Sequence, residues 1–315
     1  MEFCIVERPG SLTTVQDKGR YAFLDRGVPL SGALDLFAFD AANLLVGNDR
    51  NAAALEITVI GPKLRVLAEA DIALTGADMA MTINERPAAG WQSMRVREGD
   101  IIKIPKALKG CRAYLAVSGG IDVPLVMGSR STYLKGAIGG YCGRRLMQGD
   151  VVKRGAKDLL SRPRRLPDNH IPRYSGEILL RAVPGPQDDF FTFSIDVLFA
   201  SSYRVTSAAD RMGYRLCGAP VNHDRDAPPS IISEASVPGS VQIPPDGQPI
   251  ILLVEQTSGG YSKAATVISV DIPEIAQAVP GATVRFERVT LNQAHDLCRK
   301  AAALRSTLVE AMMDR

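Results

Sequence analysis

The length and spacing of the apolar runs limit the fold of this chain more than any other feature. Each run is four to eight residues long, rich in branched side chains, and broken by turn formers before it can reach helical length. In the first half they read FCIVER (3–8), LEITVI (55–60), KLRVLA (63–68), DIALTG (71–76), WQSMRVR (91–97), DIIKI (100–104) and CRAYLAVS (111–118), with IGPK, REGD and LKG between them. Strands at this pitch predict a barrel or sandwich rather than alternating βα units. One helix interrupts the series: Ser31 or Asp35 is placed to cap LDLFAFDAANLLV, Leu34, Ala38, Ala41 and Leu45 keep helical spacing, and Gly47 supplies the stop.

Residues 157–175, KDLLSRPRRLPDNHIPRYS, carry neither period and are dense in Arg and Pro, which marks an interdomain boundary. The expectation is an N-terminal domain over 1–160, a linker over 161–175 and a C-terminal domain over 176–315. A second β series follows: EILLRAVP (177–184), YRVTS (203–207), SIIS (230–233), SVQIP (240–244), IILLVEQ (250–256), ATVISV (265–270) and TVRFERV (283–289). An amphipathic helix should start near Leu291, with Leu291, Ala294, Cys298 and Ala301 on one face.

Several function classes are excluded. A net charge of +3 with 23% charged residues lacks the dense positive field of a nucleic-acid binder. The start, MEFCIVERPG, has no signal-peptide core, and no apolar run approaches 18 residues, so no membrane partner and a cytoplasmic location are expected. Cys4, Cys111, Cys142, Cys217 and Cys298 are scattered without a C-x-x-C and read as reduced thiols. No two glycines are separated by a single residue, which removes the dinucleotide fingerprint, and the glycine pairs with P-loop spacing, Gly27/Gly32 and Gly213/Gly218, are followed by Ala instead of Lys. G-x-S-x-G, S-x-x-K and H-E-x-x-H are absent, and His170, His223 and His295 lie far apart, so no metal site is expected. A biotin acceptor lysine between methionines is missing too; biotin is not attached to this chain.

Four stretches are unusually polar for their glycine content. The first, residues 8–35, concentrates Asp17, Arg20, Ser31 and Asp35 with Thr13, Thr14, Gln16 and Arg26. The second, GSRSTYLKGAIGGYCGRR (128–145), sets five glycines among Arg130, Lys135 and Arg144, either as a cradle for an anion or as the turns of a tightly wound β domain. The third, SAADRMGYRLCG (207–218), places Asp210 beside Arg211, a possible base beside a possible carboxylate clamp. The fourth, VEQTSGGYSKAA (254–265), runs from Gln256 through a Gly-Gly turn to Tyr261 and Lys263. Arg, Gln and Tyr suit recognition of a small amide or carboxylate, whereas polar glycine turns and Asp–Arg neighbours also occur for turn geometry alone.

PGSLTTVQDKGR, GVPLSGALD, AANLLVGN, ALEITVIGP, YLAVSGGIDVPLVMGSRST, GGYCGRRLMQGD, DRMGYRL, VQIPPDGQPIILL and QTSGGY occur in this order over residues 5–290. On these motifs the chain resembles the KipA-like family, whose members are also called 5-oxoprolinase C subunits, allophanate hydrolase subunit 2 or biotin-dependent carboxyltransferases. The resemblance implies a mainly β protein of two cyclophilin-like β-barrel domains with a few short helices and a C-terminal helix. It implies a KipI-like B subunit as partner, together with an A subunit, in an ATP-dependent 5-oxoprolinase that opens the 5-oxoproline lactam to glutamate. Two alternatives come with it: carboxyl transfer from carboxybiotin on another protein to urea or a related amide, and a non-catalytic regulatory partner of a KipI-like protein. A prolyl isomerase is set aside because the site motifs differ. By motif position the resemblance implies Arg130 and Arg211 for anionic groups, Asp210 as base or orienter, and Gln256 and Tyr261 for the amide. Arg144, Asp17, Arg20, Ser31 and Asp35 are further candidates for substrate binding, the barrel mouth or an intersubunit contact. One departure is visible: the family segment usually reads like LLADRQTTGGYP, whereas this chain has LLVEQTSGGYSKAA, with Glu255 near the usual Asp and Ser262 where Pro is common.

Overall fold

The computed structural model describes residues 1–313, with side chains through Thr307. The chain divides into two compact units, one of Met1–Arg20, Ser31–Tyr174 and the residues from Ser306 on, the other of Tyr21–Leu30 and Ser175–Arg305.

The first unit is built on two antiparallel sheets. One runs in the order Val151–Lys153, Glu2–Arg8, Lys63–Val66, Ile101–Lys103, Thr82–Ile83, Arg86–Pro87; the other in the order Leu12–Gln16, Ala54–Thr58, Lys109–Val117, Ala70–Asp78, Ser93–Val96. Phe3, Val6, Leu64 and Ile102 from one sheet and Val15, Leu55, Ile57, Ile72 and Leu115 from the other belong to one buried core. The helix Leu36–Leu45 lies in a second cluster, packing Ala38, Phe39, Ala41 and Leu45 with Ala54, Ala73, Tyr114 and Ala116. The five-stranded sheet is therefore covered on both faces. That is why Ala70–Asp78 is buried at every position but its last and reads as a continuous apolar run instead of an alternating one. Alanines at the helix-facing positions let the helix sit close, and the Phe39 and Tyr114 rings meet edge to face at 5.8 Å.

The second unit contains a closed seven-stranded barrel in the order Glu177–Pro184, Ser262–Val267, Ser240–Ile243, Ile250–Leu252, Gly213–Cys217, Ser202–Ala209, Thr283–Arg288. The first and last strands close it as a parallel pair, with Glu177 opposite Thr283 through Ala182 opposite Arg288. Here strands alternate: Ile178, Leu180, Ala182, Tyr203, Val205, Tyr214, Leu216, Val284 and Phe286 are buried, and closure leaves the barrel without an edge.

The mainly β class with short helices and a C-terminal helix holds, and three local expectations are corrected. Residues 161–174 are not a free linker: Leu166 is fully buried and donates its N–H to the Trp91 carbonyl (2.9 Å), and Ser93 donates to the Arg164 carbonyl (2.8 Å), so this extended stretch pairs like an added strand. Residues 230–233 form no strand and Ile232 is 93% exposed, since nothing pairs with that backbone as a ladder. In the final helix, Leu291–Met313, Leu291 is exposed because it is the first helical residue. Ala294 and Leu297 instead pack on Ile268 and Val289, while Thr290 and Gln293 cap the start reciprocally (2.8 and 3.3 Å).

Candidate functional site

The four polar stretches converge in pairs, one pair in each unit. In the first unit, strand Leu12–Gln16 delivers Asp17 to the GSRST segment. One Asp17 oxygen accepts from the Gly19 N–H (2.9 Å), the Ser129 hydroxyl (2.7 Å) and the Ser131 hydroxyl (2.5 Å); the other accepts from the Arg130 N–H (2.6 Å). With four donors on its carboxylate and 2% exposure, Asp17 acts as the staple between the two motifs rather than as a ligand contact. Arg20 is wholly buried, donating Nε to the Val126 carbonyl (3.0 Å) and Nη2 to the Ser131 carbonyl (2.9 Å). Burial pushes its guanidinium down, and the charge of Asp17 opposes that shift. Arg20 Nη1 and the Ser31 hydroxyl are buried polar atoms without a hydrogen-bond partner among the described residues, and Ser31 itself has φ +53°.

Asp35 is the helix cap, accepting from the Ala38 N–H (3.0 Å) and from the Tyr174 hydroxyl (2.7 Å). Arg144 forms a bidentate pair with Asp150 (2.7 and 2.9 Å) and lies 5.1 Å over the Tyr141 ring, so its charge is already met. Arg130 is half-buried, with Nε on the Val123 carbonyl (3.0 Å). The glycines between these arginines are filled by protein: a Cβ on Gly139 would lie 2.2 Å from the Ser131 carbonyl oxygen, and one on Gly140 1.8 Å from Thr132 Oγ1. With φ of +68° and +53°, both glycines serve close backbone packing, so residues 128–145 wind tightly on themselves instead of leaving an open cradle there. Gln16 and Glu56 join this network without having been singled out as site residues. Gln16 accepts from the Gly32 N–H (3.1 Å), and Glu56 accepts from the Tyr114 hydroxyl (2.8 Å).

In the second unit, strands Gly213–Cys217 and Ile250–Leu252 are paired, which brings the DRMG and EQTSGGY segments side by side. Arg211 and Glu255 form a buried ion pair at 2.5 Å, and the Glu255 N–H donates to the Arg211 carbonyl (3.1 Å). Asp210 is exposed and accepts from the Met212 (2.7 Å) and Gly213 (3.3 Å) N–H groups, which is turn chemistry. Gln256 turns its amide onto the Ser258 carbonyl (2.5 Å), and Tyr261 is 38% exposed.

Beyond these, a polar group forms at the barrel around Lys263 and Gln242. Its side chain is 4% exposed, with Nζ 2.5 Å from a Glu234 oxygen and 3.3 Å from the Ala235 carbonyl. Gln187 donates to the same Glu234 oxygen (2.9 Å) and accepts from the Lys263 N–H (3.0 Å). Lys263 and then Gln187 hold the Glu234 carboxyl below its ordinary range, against a smaller opposing effect of burial. Gln242 sits across the ladder from Lys263 and lies so near the loop that a Cβ on Gly259 would come within 2.4 Å of its amide nitrogen. Among the described residues the hydroxyls of Ser236 and Ser262 are buried without a partner. A buried ammonium, a partly exposed carboxylate and two amides make this the strongest candidate for holding a small polar ligand. Gln242 could have been found from sequence as the one polar residue inside the SVQIP run besides its first serine; Gln187 and Glu234 carry no such signal.

Among the described residues no group of three His, Cys, Asp or Glu could hold a metal ion, and no helix is long and apolar enough to cross a membrane. Residues 26–288 match the model of the carboxyltransferase domain, subdomain A and B. The chain is 40% identical to the C subunit of 5-oxoprolinase from Escherichia coli over 91% of both chains. It is 33% identical to the urea amidolyase of Lachancea kluyveri, matching over 98% of this chain and 18% of that one. The Kluyveromyces lactis urea carboxylase structure superposes with a TM-score of 0.91 at 31% identity, over 98% of this chain, which spans 29% of that structure's length. On this evidence the chain belongs to the carboxyltransferase subdomain A and B family.

Proposed function

We propose that this chain is the C subunit of an ATP-dependent 5-oxoprolinase, working in the cytoplasm with a KipI-like B subunit and an A subunit to convert 5-oxoproline to glutamate. The observation that carries this reading is the 40% identity to a 5-oxoprolinase C subunit of the same extent, nine-tenths of each chain, whereas the urea enzymes contain this region as a small part of a longer chain. The barrel cluster suits the chemistry. 5-Oxoproline presents a carboxylate and a lactam; the Lys263 ammonium spends two of its three donor protons on Glu234 and the Ala235 carbonyl and keeps one for the carboxylate, while Gln242, opposite it in the ladder, suits the amide. Exposed Tyr261 borders the same loop. The packing of Gly139 and Gly140 on Ser131 and Thr132 argues against that part of the 128–145 segment as an ATP cradle, and ATP is proposed as a cofactor of the complex. The test is 5-oxoproline-dependent phosphate release by the purified complex of all three components, wild type against Lys263→Met. A fall of about 100-fold in kcat/KM is expected, by analogy with the loss of one buried charged donor. Absence of turnover in an intact wild-type complex overturns the proposal.

The second reading, carboxyl transfer from carboxybiotin to urea or a related amide, is favoured by the family match and by the TM-score of 0.91 to a urea carboxylase. Labelled carboxyl appearing in an amide acceptor would support it. Retention of biological effect by a turnover-dead complex would instead point to a regulatory role.

A further inference from the structure

A cavity of about 550 Å³ opens in the first unit, lined by none of the motif residues. That volume lies within the range of small-ligand sites. Its floor is apolar: Leu74, Met79, Met81 and Trp91 are all at least nine-tenths buried, and two unbranched thioethers can adapt to an irregular ligand. Two residues of the wall hold left-handed backbone, Trp91 at φ +58° and Ala80 at φ +45°. For a residue as bulky as Trp this conformation is a strained one that the surroundings must impose. The Trp91 backbone N–H donates to the Leu74 carbonyl (2.8 Å) and its carbonyl accepts from the Leu166 N–H (2.9 Å), so the backbone that carries the indole is held on both sides.

The rim is cationic. Lys109 and Arg173 are exposed lining residues that form no ion pair among the described residues, and the one acidic lining residue is Asp78, opposite Lys109 in the ladder. The Tyr174 hydroxyl is spent on Asp35, which leaves the two cations as the rim's charged donors. We infer that this cavity binds an amphipathic monoanion, an aryl or short alkyl group bearing one carboxylate or sulfonate, with the apolar body against Trp91 and Met81 and the anion between Lys109 and Arg173. It is a site separate from the barrel cluster and does not depend on the function proposed above.

Trp91 is the only tryptophan of the chain, so the cavity carries its own reporter. Titrating the full chain with 8-anilinonaphthalene-1-sulfonate should quench tryptophan emission with one-to-one stoichiometry. The uncharged N-phenyl-1-naphthylamine should bind about tenfold more weakly, the size expected of two partly exposed charge-assisted contacts. The double substitution Lys109→Ala, Arg173→Ala should erase that difference while leaving the neutral probe within twofold; both side chains are exposed, so the fold is retained. 4-Phenylbutyrate should displace the sulfonate and 4-phenylbutanol should not. Binding without tryptophan quenching, equal affinity for the charged and neutral probes, or an unchanged affinity in the double variant would each overturn the inference.

Discussion

Replacing Asp17 with Asn separates a structural from a ligand-binding role for the most polar motif of the first unit. The substitution keeps the shape of the side chain but turns half of an acceptor-only group into a donor. The serine hydroxyls at 2.7 and 2.5 Å can rotate to other acceptors; the Gly19 and Arg130 N–H groups at 2.9 and 2.6 Å cannot. Whichever way the amide is flipped, its NH₂ faces one of these fixed donors and leaves it unpaired inside the protein, at a cost of about 1–3 kcal/mol. The surviving contacts also lose their charge assistance, worth roughly another 1 kcal/mol. Arg20, buried and opposed in its desolvation by Asp17, loses that support as well. A total near 3 kcal/mol corresponds to a fall in Tm of roughly 6–12 °C for a unit of this size. The assay is thermal and urea unfolding of the purified chain, with Ser131→Ala alone and in combination. The double variant should be less than additive by about 1 kcal/mol, since both changes remove the same contact. A Tm within 2 °C of wild type, together with lost 5-oxoproline turnover, would refute the staple and return Asp17 to the ligand.

Three further outcomes follow from the geometry. Gly139→Ala should destabilise the chain by about 2 kcal/mol or more, because the new Cβ meets the Ser131 carbonyl oxygen at 2.2 Å and Arg20 Nη2 at 2.6 Å on a backbone of φ +68°; an unchanged urea midpoint would contradict this. Arg144, with the Met147 N–H assisting, holds the Asp150 carboxyl below its ordinary range against burial. This pair therefore stabilises the fold above the ordinary aspartate pKa near 4, and that stability drains away as pH falls through the lower folded value. Arg144→Met should remove about 1 kcal/mol or less at pH 7, and the variant and wild-type Tm curves should converge as the pH falls through the lowered Asp150 value; curves that stay parallel would exclude the pair as the cause. Burial pushes the Cys4 thiol up to about 12, whereas Cys142 and Cys217 are exposed. At pH 8 the native chain should lose Cys142 and Cys217 to iodoacetamide first, with Cys4 modified only after unfolding, and mass spectrometry showing early Cys4 labelling would refute its burial.

Where residues repeat a local pattern, sequence and structure agree closely. Glu177–Pro184 is the strand read as EILLRAVP, and the Asp35 cap of Leu36–Leu45 follows from one acidic residue ahead of a helical period. The misses share a cause. Strands Leu12–Gln16 and Gly213–Cys217 fall within the stretches read as unusually polar; Gln16 is satisfied by the Thr132 carbonyl more than a hundred residues away, and Arg211, just ahead of the second strand, by Glu255 several tens of residues away. Residues 161–174 looked like a linker because extended Arg- and Pro-rich backbone has no period of its own; pairing with residues 91–93 gives it a place.

Turn spacing, apolar period and the ordered motifs by themselves determined the β class, the capped helix and the family, since each depends on neighbours within a few residues or on the chain order alone. Which polar groups are spent and which remain available was decided only by the tertiary structure. Asp17 and Arg144 meet partners delivered by other segments, and Lys263, Glu234, Gln187 and Gln242 come together from four separate places in the chain. The physical reason is that a hydrogen bond or ion pair is satisfied through space, and closing the barrel sets those distances.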